Sequence, residues 1–164
     1  MKQVNFLPAL PGHSRIWLYL AEKPLNSEEQ DFVKKQMQSF TQAWQAHGAP
    51  LSAAFDIWQE QLLIIGVAET TQAATGCSID ASYRIIKQIE QTLGLSLSNR
   101  LLLPIWANET LSVYKPQAAN DLVNEHTNVL DLTHTKLSDF REKGIRPISE
   151  TWMRRYLPQT HASS

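Results

Sequence analysis

The chain has 164 residues, 43% of them hydrophobic and 19% charged, and carries a net charge of −1. A chain of this size buries about 68–70% of its unfolded surface, enough for one self-sufficient core, and this composition is too apolar for a disordered chain. With 15 basic against 16 acidic residues there is no basic excess, so nucleic acid is not an expected partner.

No apolar run is long enough to span a bilayer, so no membrane association is expected. The opening stretch MKQVNFLPALPGHSR is interrupted by Pro8 and Pro11 and does not resemble a signal peptide. The single cysteine, Cys77, has no partner for an internal disulfide, and a cytoplasmic location is expected. His13, His47, His126, His134 and His161 are too scattered for a zinc site, so no metal is expected. No cofactor is indicated.

In chain order, residues 15–21 (RIWLYLA) alternate with period two. They predict a strand with Ile16, Leu18 and Leu20 on one face and Trp17 and Tyr19 on the other. A helix is predicted from about Asn26 to His47. Asn26 and Glu29 have capping-box spacing, and Val33, Met37, Phe40 and Trp44 form one stripe. Gly48 and Pro50 stop it. Two strands follow, 53–58 and 62–68, the second apolar throughout and so expected inside a sheet with both faces covered. After a polar loop, a helix from about Ser78 to Leu93 carries the stripe Ile79, Tyr83, Ile86, Ile89 and Leu93, and Gly94 ends it. Residues 101–107 read as a strand in which Pro104 suggests an edge or a bulge. LSVY at 111–114 continues or pairs with it. A helix at 117–126, a short helix around Leu137 and Phe140 ending at Gly144, and a segment capped by Ser149 complete the chain.

The order β-α-β-β-α-β predicts an α+β fold of the ferredoxin-like kind, an antiparallel sheet with two helices on one face. Residues 1–164 are read as one domain, with a core at 15–107 and a helical extension at 117–158 packed on it. An edge strand would permit a homodimer.

The first candidate for chemistry is the turn TGCSID at 75–80. Amides at a helix N-terminus stabilise an anion or a thiolate, so Thr75, Gly76, Cys77 and Ser78 form a candidate anion-binding turn and Cys77 a candidate nucleophile. Asp80 opposes a thiolate, or caps the same helix end. The bland alternative is a buried thiol beside a capped helix start. His47 is accounted for by its place at a helix C-terminus. His13 is placed at the opposite end of the sheet from Cys77, which argues against a Cys–His pair. Trp17, Tyr19, Trp58 and Trp106 are candidates for one aromatic sheet face opposite the helices, read as core under the C-terminal segment rather than as a stacking platform. Arg141, Lys143, Arg146, Arg154 and Arg155 form a locally basic stretch, usually a solvated face and at most a phosphate contact.

The words HSRIWLYLA, WQAHG at 44–48, TGCSID and PISETWMRRYLP resemble a family of small Bacteroidota proteins of unknown function, whose members are often labelled "ABC transporter ATPase". The resemblance runs over nearly the whole chain and falls on His13, Ser14, Arg15, Trp44, His47, Gly48, Gly76, Cys77, Ser78, Ile79 and Asp80. It brings no catalytic role with it. The label itself conflicts with the residues: none of the six glycines is followed by lysine, so no phosphate-binding P-loop exists. The expectation is therefore a non-catalytic domain that binds a small ligand or a protein. The alternative is a thiol-dependent enzyme or anion site centred on Cys77.

Overall fold

Alternation in RIWLYL makes β1 (Arg15–Leu20), and a capping box then starts α1 (Ser27–Ala43). Asn26 Oδ1 accepts from the Glu29 amide at 2.8 Å while Glu29 Oε1 accepts from the Asn26 amide at 3.0 Å, as the spacing predicts. The computed structural model describes residues 3–46, 48–68 and 75–158; His47 and the tail after Pro158 fall outside them. A two-residue ribbon, β2 (Gln45–Ala46) with β3 (Ala49–Pro50), follows α1. Next come β4 (Ser52–Trp58), β5 (Leu62–Ala68) and α2 (Gly76–Leu93), which ends at Gly94 in the left-handed conformation.

The three long strands form one antiparallel sheet in the order β1-β5-β4. Every residue of β5 is buried, in keeping with a strand covered on both faces. One face carries Tyr19, Leu63, Ile65 and Val67 and packs against Val33 and Met37 of α1 and Ile86 and Ile89 of α2. Both helices therefore lie on the same side.

The second sheet is also antiparallel. It contains β6 (Leu103–Ala107), β7 (Thr110–Tyr114), β8 (Asn128–Leu130) and β9 (Ile145–Pro147), in the order β7-β6-β8-β9. A short helix, α3 (Leu137–Lys143), joins β8 to β9. Together with α3 and the N-terminal arm, this sheet covers the other face of the first, where Ile16, Leu18, Leu20, Leu62 and Ile64 meet Leu111, Leu130, Leu137 and Phe140. The architecture is thus α+β with two antiparallel sheets. Three short 3-10 segments, Pro116–Asp121, Ile148–Glu150 and Trp152–Tyr156, pack on the far side of the second sheet.

Several expectations are corrected. Residues 101–107 do not supply a fourth strand beside β1; β6 pairs with β7 and β8. A tight turn at Asn108 and Glu109, with φ of 53° and 58°, closes β6 onto β7. That local hairpin pairs β6 with the strand next to it in sequence. Pro104 sits in an interior strand, where pairing on the β8 side is confined to Ile105–Val129. The predicted helix at 117–126 is a 3-10 segment opened by Pro116, and Thr151 rather than Ser149 caps the last segment.

Parity splits the proposed aromatic face. Trp58 pairs with Leu62, which pairs with Leu20, so Trp58 shares the Leu20 face and stacks on Trp106 at 5.0 Å. Trp17 and Tyr19 lie on the helix side, with Trp17 5.7 Å from Trp44.

Candidate functional site

The turn at 75–80 is a helix start at which Thr75 and Ser78 serve one another. Thr75 is the N-cap, which places Gly76 and Cys77 inside the first turn and makes Ser78 the third helical residue. The Ser78 amide donates to Thr75 Oγ1 at 3.2 Å, and the Thr75 amide donates to Ser78 Oγ at 2.6 Å. Ser78 Oγ in turn donates to the Thr75 carbonyl at 2.8 Å. The Ser78 carbonyl accepts from the Trp44 indole at 2.8 Å. Ser78 thus fills the reciprocal capping role considered for Asp80, which is exposed.

Cys77 is exposed rather than buried. It opens on a cavity of about 230 Å³ whose other walls are Phe40, Ala43, Trp44, Gln45, Thr75, Ser78 and Ala81, with no cation or imidazole among them. The start of β1 and the start of α2 lie at the same end of the sheet, not at opposite ends. Arg15 is opposite Val67 at the end of β5, and Trp17 reaches through Trp44 to Ser78. His13 and Cys77 nevertheless share no hydrogen bond among the described residues.

The basic stretch does not form one face. The Arg141 guanidinium turns inward and donates to the carbonyls of Phe6, Leu7 and Leu10 at 2.8, 2.8 and 2.9 Å. Arg146 pairs with Glu150 at 3.1 Å. Only Lys143, Arg154 and Arg155 of the set stand exposed.

A larger site lies along the outer edge of β1, and of the candidate residues singled out in the sequence Trp17 and Arg155 line it. Ala21 bonds to Gln61 across the β5 side, so the odd residues of β1 face β5 and the even ones face outward. Ile16 donates outward to the Thr135 carbonyl at 2.9 Å, and Leu20 to the Leu97 carbonyl at 3.2 Å. Between these two bridges the Leu18 carbonyl accepts from Arg100 Nη1 at 2.7 Å. The Leu18 amide and the Ile16 carbonyl face outward with no partner among the described residues. A groove of about 480 Å³ runs along this edge, lined by residues of both faces of β1 together with Leu102, Pro104, Leu130, Leu132 and Met153.

The polar residues at the groove are held in place. Arg100 lies over the Tyr19 ring at 5.4 Å. Burial raises the Tyr19 phenol above its ordinary range, although Arg100 pulls it back. Asp131 is buried; its Oδ1 accepts from the Thr133 amide and hydroxyl at 3.0 and 2.6 Å, and its Oδ2 lies 3.6 Å from His134 Nε2.

Glu90 of α2 fixes the loop at one end of the groove, accepting from the Leu97 amide at 2.7 Å and the Ser98 hydroxyl at 3.0 Å. Burial alone would raise the Glu90 carboxyl. The bonds from Leu97, Ser98 and Lys87 outweigh it and hold that carboxyl below the usual range. Asn99-Arg100, after an apolar helix end, carries no periodicity that singles it out in the sequence.

Among the described residues no three His, Cys, Asp or Glu side chains are grouped to hold a metal ion, and no helix is long and apolar enough to cross a membrane. No family model, curated protein or solved structure matches the chain.

Proposed function

We propose that this protein is a non-catalytic binding protein for a small, largely apolar ligand, and that the ligand lies in the groove along the outer edge of β1. The observation that carries this reading is the combination found there: a concave apolar wall with backbone hydrogen-bonding groups left open in it. At about 480 Å³ the groove falls in the range of roughly 300–1,000 Å³ common to small-molecule sites, which are also mostly apolar with a few placed polar groups. The run β1-α1-β4-β5-α2 is read as a ferredoxin-like unit in which the place of the fourth strand, beside β1, is given over to the ligand. The resemblance to the small Bacteroidota family, without its ATPase label, and a cytoplasmic location belong to the same proposal.

The test is titration with a neutral, environment-sensitive apolar dye. The wild-type chain is expected to bind one dye saturably. Leu132→Trp, which fills the groove, is expected to weaken binding about tenfold, equivalent to about 1.4 kcal/mol, while melting as a folded protein. Absence of saturable binding by the wild type, or equal binding by a folded Leu132→Trp variant, overturns the reading.

A second reading, thiol chemistry at Thr75, Gly76, Cys77 and Ser78, is favoured by one observation: Cys77 is exposed and opens on a cavity. It expects Cys77 to react with a disulfide reagent near neutral pH faster than a free model thiol. Reaction at the model rate removes it.

A further inference from the structure

Resting on the groove as the ligand site, we propose that its ligand is an apolar molecule ending in one carboxylate, with the carboxylate held by Arg100, Arg155 and the Leu18 amide.

The charges around the groove point one way. Its lining contains Arg100, Arg155 and His134 and no acidic residue. The carboxylates adjoining it are engaged: Asp131 is buried and held by Thr133 and His134, Glu90 by Leu97, Ser98 and Lys87, and Glu22 by Asn99 and Lys115. Neither Arg100 nor Arg155 has a carboxylate partner among the described residues, whereas Arg146 does. A concave site lined with unmatched guanidinium groups attracts an anion and repels a cation.

The backbone gives an independent indication. Arg100 donates to the carbonyl of Leu18, the residue whose outward amide is open, so a guanidinium and a free N–H converge at one point on the β1 edge. One N–H of the guanidinium is used there, and the group lies over the Tyr19 ring at 5.4 Å. The remaining N–H groups present a planar fork, which suits a carboxylate. The bond to Leu18 holds one end of this fork before ligand arrives, which reduces the freedom lost on binding.

The rest of the ligand is apolar. Leu102, Pro104, Leu130 and Met153 wall the groove. Leu101 stands at its rim with 55% of its surface exposed, placed to meet a chain that extends outward. The two bridges from β1, at Thr135 and at Leu97, close the edge on either side. A peptide strand therefore cannot run along it, and a small molecule can enter between them.

Calorimetric titrations with octanoate, decanoate, 1-decanol and decylamine, run beside the neutral-dye assay, test the proposal. Decanoate is expected to bind at least about tenfold more tightly than 1-decanol, and decylamine most weakly. Each added methylene is expected to tighten carboxylate binding about three- to fourfold. Added salt is expected to weaken decanoate and leave decanol unchanged. The Arg155 side chain is exposed and makes no hydrogen bond among the described residues, so Arg155→Gln is expected to leave the fold intact and to weaken decanoate several-fold more than it weakens decanol or the dye. Arg100→Lys keeps the charge without the fork and is expected to weaken decanoate as well. Equal binding of decanol and decanoate, with dye binding intact, overturns the carboxylate while leaving the groove as the site. A preference for decanoate that neither arginine variant reduces overturns the residue assignment. Failure of the wild type to bind the dye overturns the proposed function itself.

Discussion

The two faces of the first sheet are covered in different ways. On one, α1 and α2 each start with a complete capping box and lay down an apolar stripe, so each helix is specified within its own residues. On the other, the cover comes from residues before β1 and residues after α2, joined by long-range bonds. Arg141 reaches three carbonyls of the N-terminal arm, and the Leu137 amide donates to the Ser14 carbonyl. In the helix layer, Thr75 and Ser78 commit their capping groups to each other. The seam with the second layer leaves an amide, a carbonyl and two guanidinium groups facing a groove. The proposed ligand groove lies at this seam, where long-range assembly leaves polar groups open.

The sharpest way to break this contrast is Arg141→Ala. It strips charge-assisted donors from the Phe6, Leu7 and Leu10 carbonyls, and a loss of about 3 kcal/mol in urea unfolding is expected. Lysine should recover little, because a point charge cannot serve three acceptors as a fork does. A loss below about 1 kcal/mol would show that the arm is held by its apolar contacts alone.

On the helix side the expected effects are smaller. Ser78→Ala removes one half of the capping box and should cost about 1–2 kcal/mol in thermal unfolding, whereas Cys77→Ser, at an exposed position, should stay within about 0.5 kcal/mol. Equal losses would mean that the cap is not what holds this helix end.

Glu90 links the helix layer to the groove. Its carboxyl is held low in the folded state, so its contribution is present above the unfolded value and is lost as pH falls through the folded one. Glu90→Gln is expected to cost about 1 kcal/mol at neutral pH. That difference should vanish in acid below the carboxylate range, and a difference independent of pH would contradict the account.

The smallest effect has the opposite sign. Ser14 Oγ is buried without a hydrogen-bond partner among the described residues, so Ser14→Ala should be neutral or stabilising by up to about 1 kcal/mol. A clear loss of melting temperature would reveal a partner for that hydroxyl.

What was legible in the sequence follows the same division. The capping residues Asn26 and Glu29, the stripe through Val33 and Met37, the apolar run of β5 and the stop at Gly94 are all local signals, and each is found where it was read. The turn between β4 and β5, with Gln59 and Glu60 at φ of 55° and 61°, carries no Asn-Gly to announce it. The placement of β6 depended on a choice between the β1 edge and β7, and no pattern within Leu103–Ala107 encodes that choice. The groove was invisible for a related reason: its walls come from β1, the loop after α2, β8 and the last 3-10 segment. Among the turn residues, Thr75 and Ser78 were seen as polar and small, but their commitment to each other depends on the helix starting at Gly76 rather than at Ser78.

The Arg141 clasp also bears on the order in which the chain can be completed. Its bond to Phe6 joins residues 135 positions apart, and closing so long a loop costs ~4 kcal/mol in chain entropy. During synthesis at roughly 5–20 residues per second, the strands and helices through Leu97 emerge seconds before Arg141 does. Over that interval the Ile16, Leu62 and Ile64 face has neither its clasp nor its second sheet. The nascent chain therefore exposes an apolar strand surface for a defined time, and that is the period in which a chaperone or a neighbouring chain can engage it.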